Sequence, residues 1–553
     1  MLIKNLSIII VFYFFIIFSS IGYGKILSDK LLKKNLDDGY NGLFGLFFLI
    51  IYSYISNIFF AHNIIHNLIL LTPGFFFYFF LKRDQKSFLF NFSLFSILFI
   101  ALVIFKTHDD FPYYHFPYTY HLTQTNLMFG IGNFNHGFRT PSSIFYLNSL
   151  FYLPYLNFFF FHMGAILIMG FVNSILIKNV YDFRSQKVDF LFYLSLLSII
   201  FINIFFYRIG EHGTDRSAQI LVLLFAIELF VLLKIKKLDQ ILSSKILVLV
   251  GLIISLKAFY VMYLSYLGII FIFFLKFFDF KRIILFLKNL VFFYFFLILL
   301  FLVIFTYFVN TGCFLYPVEI TCLDTSWSIP SSEVIQMNNW YEQWSKGGAG
   351  PNFRVDNPAE YIQNFNWIIN WIDVYFFNKV SDFLLSLVLL SLIFFLLFLS
   401  TKKNRIILKR EYLFLYILTF ILFFEWFYNH PALRYGGYVL ICLLIFIPIS
   451  FILSRNHHNK KSLFLRTKCL LILCLIIFVG RNLDRINNEI VKYNFTPFLD
   501  NSFRISDNHF RIKKKIDELI KNYEFCKEQV NFCEKNASFQ VYKKNNIYFF
   551  SRN

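Results

Sequence analysis

Uninterrupted apolar runs of about 20 residues, the length that crosses a bilayer as a helix, recur along almost the whole chain. Nothing else in the sequence limits its folding so severely. In lipid every backbone N–H and C=O must be satisfied within the spanning structure, which leaves helices or closed barrels. Runs that are apolar throughout, rather than alternating, point to helices. Apolar stretches begin near residues 5, 42, 63, 88, 155, 188, 217, 246, 259, 289, 381, 411, 436 and 468. They predict an all-α polytopic membrane protein of roughly 12–14 transmembrane helices. With 58% hydrophobic and only 15% charged residues, the chain is not a soluble enzyme with an anchor. Two runs are ambiguous. Lys257 interrupts Ile246 to Leu275, which reads either as one tilted helix or as two short ones with the lysine at their apex. Ser142 to Asn157 carries Asn148 and Pro154 and reads as an interfacial helix.

The formal charge of +20 would suggest nucleic acid in a soluble protein. Here the cations concentrate in alternate loops: Lys25, Lys30, Lys33 and Lys34; Lys82, Arg83 and Lys86; Lys178, Arg184 and Lys187; Lys234, Lys236, Lys237 and Lys245. The set continues through Lys276, Lys281, Arg282 and Lys288, then Lys402, Lys403, Arg405, Lys409 and Arg410, and ends with Arg455, Lys460, Lys461, Arg466 and Lys468. By the positive-inside rule these loops are cytoplasmic, no nucleic-acid partner is implied, and the chain starts and ends outside. The first run has no clear cleavage site after it and reads as a retained span. The 82 phenylalanines fit an AT-rich coding bias rather than a binding surface.

Five segments follow: N-terminal transmembrane helices (1–87), a core with an acidic outer loop (88–309), a long extracytoplasmic loop (310–380), C-terminal transmembrane helices (381–480) and an extracytoplasmic tail (481–553). Alternating runs at Phe539 and Ile547 predict a small α/β cap in the tail. Cys313 with Cys322, and Cys526 with Cys533, fall on the predicted oxidising side and are expected to form disulfides. Cys442, Cys469 and Cys474 lie in spans and read as packing residues.

Polar chemistry gathers in the outer loops. The first reads Lys106-Thr-His-Asp-Asp-Phe-Pro-Tyr-Tyr-His115. Paired carboxylates at the membrane rim, Asp109 and Asp110 beside His108, suit proton transfer or a divalent cation such as Mg²⁺ or Mn²⁺. A solvated loop with aromatic anchors is the alternative. The second reads Tyr207-Arg-Ile-Gly-Glu-His-Gly-Thr-Asp-Arg216. Glu211, His212 and Asp215 either join the same site or serve the turn and the helix cap. Lys257, if at an outer apex, could hold a lipid phosphate as a point charge. Arg434, in the late loop Pro431-Ala-Leu-Arg434, suits bidentate phosphate recognition or interfacial anchoring. Trp327, Trp340 and Trp344 suit sugar stacking or an interface belt. Gly347-Gly-Ala-Gly350 and Gly130-Ile-Gly132 lack the context of nucleotide-binding loops.

His108-Asp-Asp110 after a span, Gly213-Thr-Asp-Arg216 and Pro431-Ala-Leu-Arg434 together resemble the GT-C superfamily of polytopic glycosyltransferases, in particular its bacterial branch with a mannosyltransferase-like core. The likeness covers about residues 88 to 454, and departs from the family in that about four spans precede the acidic pair. It implies a polyprenyl-phosphate sugar as donor, a lipid-linked or surface glycan as acceptor, contact with membrane lipid, and a multi-pass protein of the bacterial inner membrane with its site facing outside. It also implies that Asp109 or Asp110 is the catalytic base and that Arg434 or Lys257 meets the donor phosphate. Two rival readings use other residues. An O-antigen-type polymerase or ligase would lean on Arg and His of the long loop, such as Arg354, and a secondary transporter would lean on Lys257. The enzyme reading requires Asp109, Asp110, Glu211, Lys257 and Arg434 to converge on one outward-facing cavity.

Overall fold

A computed structural model describes residues 2–34, 36–81, 84–182, 189–350, 353–400, 410–456, 459–499, 503–528 and 538–552. Among the described residues ten helices are long and apolar enough to cross a membrane: Asn5–Leu32, Asp38–Phe59, Gln85–Leu102, Met163–Asp182, Gly213–Ile235, Val291–Thr311, Ile368–Phe398, Arg410–Asn429, Gly437–Ser454 and Lys460–Tyr493. Ile64–Phe80, Phe190–Phe205, Gln240–Leu256 and Ala258–Phe274 are apolar but shorter. The chain is a mostly α-helical, multi-pass membrane protein. The run around Lys257 is two short helices: the backbone is extended at Lys257 (φ −163°, ψ 138°), which ends one helix and begins the next.

Several boundaries differ from the sequence expectation. Ser142–Asn157 is not interfacial: Ser143–Ser149 forms a short helix whose every residue is buried in the protein. The helix expected from 381 begins at Ile368, because Trp367, Trp371 and Tyr375 bury an aromatic face that extends it back through Asp373 and Lys379. The helix expected to end near 480 runs to Tyr493; Asn482, Arg485 and Glu489, spaced three and four apart, carry its buried face beyond the apolar run.

Close backbone approach packs the first three helices. A Cβ at Gly22 would lie 1.8 Å from the Gly74 carbonyl oxygen, and one at Gly45 would lie 1.8 Å from that of Ser20. Small residues at such crossings let dispersion contacts form that lipid cannot replace. Met163–Asp182 and Gly213–Ile235 are the most enclosed spans, while Val291–Thr311, Ile368–Phe398 and Arg410–Asn429 present apolar side chains outward.

The loops sort to two ends. At one, Lys25 pairs with Asp38 (3.4 Å), Lys178 with Asp37 (3.7 Å), Lys234 with Asp189 (2.6 Å) and Lys236 with Glu411 (2.5 Å). Asp37, Asp84, Asp189, Asp239 and Asn459 cap the helices that rise from it by accepting backbone N–H groups. Lys82, Arg83, Arg184, Lys187, Lys402, Lys403, Arg405 and Lys409 lie outside the described residues. At the other end the polar loops meet. Asn5 donates to the Phe498 carbonyl (3.3 Å), so the N-terminal helix begins where the tail leaves the last span.

The tail contains the helix Arg511–Glu528 and an antiparallel hairpin, Phe539–Lys544 with Ile547–Arg552, as its alternating runs predict. The hairpin docks on the first polar loop: Phe129 donates to Tyr548 O and accepts from Phe550 N, both at 3.0 Å. The fully buried Arg139 then joins that loop to the long one through Glu333 (2.9 Å) and Tyr316 (3.2 Å), and Arg552 reaches the same Glu333 (3.0 Å). Cys313 and Cys322 form the expected disulfide. Cys526 is disulfide-bonded, and Cys533 lies outside the described residues. Cys442 and Cys474 are free and buried, and Cys469 is free and exposed.

Candidate functional site

The first polar loop leaves its span under tight control. Near the end of the last span, Arg485 donates to Val103 O (2.8 Å) and Glu489 accepts from Phe105 N (2.8 Å), the two side chains pairing with each other at 3.2 Å. The chain then turns at His108, whose Nδ1 accepts from Asp110 N (3.2 Å), and continues into a one-turn π-helix, Phe111–His115. Arg434 sits on the 3₁₀ turn Leu433–Tyr435. Gly436 reverses the chain behind it at φ 107°, in the left-handed region that glycine adopts without penalty. The Arg434 carbonyl accepts from Gln219 (3.1 Å) and from the Tyr260 hydroxyl (3.3 Å), which fixes the turn to the enclosed helix Gly213–Ile235.

These anchors bring four charged side chains together from four parts of the chain. Arg434 donates from Nη2 to Asp110 Oδ2 (2.7 Å) and from Nε to Asp215 Oδ2 (3.0 Å). Lys257 Nζ, held at its helix break, donates to Asp215 Oδ1 (2.5 Å). Tyr435 and Trp344 flank the cations: the Lys257 ammonium is 4.6 Å from the Tyr435 ring, and the Arg434 guanidinium is 5.3 Å from Trp344 and 5.6 Å from Tyr435. The side chains of Arg434, Asp110 and Lys257 keep 25%, 27% and 23% of their surface in contact with solvent. The network is therefore partly open to solvent rather than sealed in the core.

A second file of groups continues from Asp110. His108 Nδ1 is 3.3 Å from Asp110 Oδ2, the His108 and His212 rings are 4.9 Å apart, and His212 Nε2 is 3.8 Å from Glu211, which is in ion-pair contact with Arg208. His108, Asp110, Glu211, His212, Asp215, Lys257 and Arg434 thus lie along one chain of contacts. Asp109, by contrast, is exposed to solvent and makes none of these contacts. Trp327 and Trp340 are also elsewhere, packed on Phe549 and Arg354 respectively.

Charge states follow from these contacts. Burial raises the Asp110 carboxyl, but the Arg434 guanidinium beside it outweighs that and holds the group well below the usual carboxylate range. Burial works against the Arg434 cation, but Asp215 and Asp110 more than restore it. Burial lowers the Lys257 ammonium despite its Asp215 partner. Desolvation also drives down His212, and takes His115 to about 3.

The residues present do not fit a divalent cation. A guanidinium already occupies the face of Asp110, and among the described residues no group of three or more His, Cys, Asp or Glu could hold a metal ion.

Sequence reasoning missed a cleft beside the network. It is small, with about 20 Å³ of space, and is lined by Phe111, His115, Phe145, His162, Glu211 and Thr214, among others. A lone histidine in an aromatic run gives no pattern to read, so His162 had no signal; His115 was visible only as one of several histidines in its loop.

Searches of curated proteins and of solved structures find no match to this chain. A family model described as a domain of unknown function, DUF8201, matches residues 6–441, a stretch that takes in Asp110, Asp215, Lys257 and Arg434. The chain belongs to the DUF8201 family.

Proposed function

We propose that the protein is an integral-membrane glycosyltransferase of GT-C type. It moves a sugar from a polyprenyl-phosphate donor to a lipid-linked or surface glycan acceptor on the outer face of a bacterial cytoplasmic membrane. One observation carries the reading: Lys257 and Arg434 stand together, partly exposed to solvent, at the end of the bundle opposite the basic loops, with the Asp110 carboxylate beside Arg434. Positive charge at the other end and a disulfide at this one support an outward-facing site.

The chemistry is an inverting displacement. The acceptor hydroxyl attacks the anomeric carbon as the bond from that carbon to the phosphate oxygen breaks. The phosphate leaves with the electron pair and is held by Lys257 and Arg434, which exchange their contact with Asp215 for the ligand. The hydroxyl proton passes to Asp110, which is ionised at neutral pH and so able to accept it. Trp344 and Tyr435 offer flat faces against which a sugar can pack.

The test is transfer from radiolabelled polyprenyl-phosphate sugars to endogenous acceptor in washed membranes. Asp110→Asn and Arg434→Ala should each lower the rate by about a hundredfold, in the range of one acid–base or oxyanion contact. Asp109→Asn should stay within a few-fold of wild type. Equal loss in the Asp109 and Asp110 variants, or no transfer by wild type from any such donor, defeats the proposal.

A further inference from the structure

The nine-residue helix Phe280–Lys288 joins the apolar helices Leu264–Phe274 and Val291–Thr311. It lies at the basic end of the bundle. In the turn before it, Lys276 is 4.9 Å from the Phe414 ring, and Lys236, the partner of Glu411, is 5.4 Å from the Phe277 ring. Ile283 is the one buried residue of the helix, with Phe286 and Leu287 partly buried against the bundle beside it. Lys281, Leu285 and Lys288, four and three residues apart, share the face away from Ile283, and all three are exposed. Phe280 and Ile284 form the flank between these two faces. On the other flank the Arg282 guanidinium lies 5.0 Å from the Phe278 ring.

Elsewhere at this end Lys25, Lys178, Lys234 and Lys236 meet carboxylates. Among the described residues no carboxylate lies within ion-pair distance of Lys276, Lys281, Arg282 or Lys288. Large apolar side chains stand among these cations: Leu285 is 60% exposed, Phe280 58% and Phe277 46%. Water would suit the cations and penalise the rings; hydrocarbon would do the reverse. A surface that carries both at once matches a partner that is apolar on one side and anionic on the other. Such a partner is within reach. Three residues after Lys288 the outward side of the next span begins, with Val291, Tyr294 and Leu297 exposed. The positive-inside rule calls for cations in this loop, but neither for a helix nor for two lysines sorted to one of its faces.

We infer that residues 276–288 form a binding site for anionic phospholipid. The helix lies along the bilayer surface with the Phe280 flank against acyl chains. Lys281 and Lys288, about 10 Å apart along the axis, hold headgroup phosphate, their stems running over Leu285. Lys276 and Arg282 add positive potential at the same depth. The site is at the opposite end of the bundle from Arg434 and Lys257, and it does not depend on the proposed glycosyl transfer.

The experiment is native mass spectrometry of the full chain in detergent, titrated with dioleoylphosphatidylglycerol and, separately, with zwitterionic dioleoylphosphatidylcholine. Wild type should bind the first phosphatidylglycerol about tenfold more tightly than the first phosphatidylcholine. Raising ammonium acetate to about 1 M should erase that preference by screening. Lys288→Gln should weaken phosphatidylglycerol binding about fivefold, and Lys281→Gln with Lys288→Gln about twentyfold, leaving phosphatidylcholine unchanged. Lys281→Arg with Lys288→Arg keeps both charges and should stay within about twofold of wild type. Lys460→Gln with Lys461→Gln removes two exposed cations from another helix at the same end, and should also stay within about twofold. Phe280→Ser should weaken both phospholipids, and free glycerol 3-phosphate, which has no acyl chain to seat, should not displace phosphatidylglycerol. Equal binding of the two phospholipids by wild type overturns the inference. So does equal loss in the two lysine-to-glutamine pairs, which would leave only diffuse charge, or displacement by glycerol 3-phosphate, which would make free phosphate the ligand.

Discussion

Two carboxylates from different parts of the chain share one guanidinium, and that asymmetry makes Arg434 the residue on which the network turns. Truncating it leaves Asp110 without its cation and Asp215 with Lys257 alone. Arg434→Ala should cost about 1–3 kcal/mol of stability, the usual penalty for unpairing a half-buried charged hydrogen bond, read as a lower thermal midpoint in detergent. Arg434→Lys should recover only part of it, because an ammonium does not present two donors at the fixed angle of a guanidinium. pH acts through other residues. Asp110 is held low, so its contribution is fully present above the unfolded-state value of about 3.9 and disappears only as pH falls through its depressed value. His115 and His162 are pushed down to about 3, so below about 6.5 the unfolded chain binds protons that the folded chain refuses. Stability should therefore fall as pH drops from 7 to 5, and His162→Phe should reduce that fall; an unchanged pH slope in the variant would contradict the assignment. The charges of this site were legible because each follows an apolar run where a solvated accident is costly. Which acid of the doublet meets Arg434 was not legible, since spacing does not distinguish two adjacent carboxylates. The histidines of the cleft were not legible either, because burial and tautomer come from neighbours distant in sequence.

Elements, more than single side chains, decide where these charges meet. The extended backbone at Lys257 converts one apolar run into two helices and puts an ammonium at the joint, at the level of the Asp215 turn. From sequence that run read equally as one helix, since hydropathy reports length and not a break of one residue. The extension of the last span to Tyr493 was hidden for a related reason: its buried face there consists of Asn482, Arg485 and Glu489, whose partners include the backbone groups of Tyr207, Val103 and Phe105 respectively. Packing of the first helices was silent in the sequence because glycine marks close approach only once its neighbour is known. Gly22→Ala would set a Cβ 1.8 Å from the Gly74 carbonyl oxygen, which no rotamer relieves. Separating the two helices should cost about 1–3 kcal/mol, visible as a lower thermal midpoint and reduced membrane yield. Gly268→Ala and Gly480→Ala meet nothing within 4 Å and lie in helices, so each should be neutral or stabilising by up to about 1 kcal/mol. Equal behaviour of all three would show that the crossing is looser than its geometry.

Across the whole molecule, spans set the architecture and the polar ends hold it closed. Repeated apolar runs and alternating basic loops announced a multi-pass bundle with two unlike ends, and the ten long helices with their segregated ion pairs have that form. What could not be read was that the tail is no separate cap. Its last strand continues the hydrogen bonding of Phe129, buries Phe550 completely and brings Arg552 to the same Glu333 that Arg139 uses. The C-terminal hairpin thereby clasps the first polar loop to the long loop that carries Trp344, although over 200 residues separate Glu333 from Arg552 (|i−j| = 219). Removing residues 538–553 should leave membrane insertion intact, because no span lies there. It should expose Phe129, strip Glu333 of one of its two cations and loosen the long loop, so that limited proteolysis cuts between residues 312 and 367 where the full chain resists. Glu333→Gln should reproduce a weaker form of the same sensitivity by loosening Arg139 and Arg552 together. A truncated chain that resists protease as well as the full one would mean that the loops are held by their own packing and the hairpin merely rests on them.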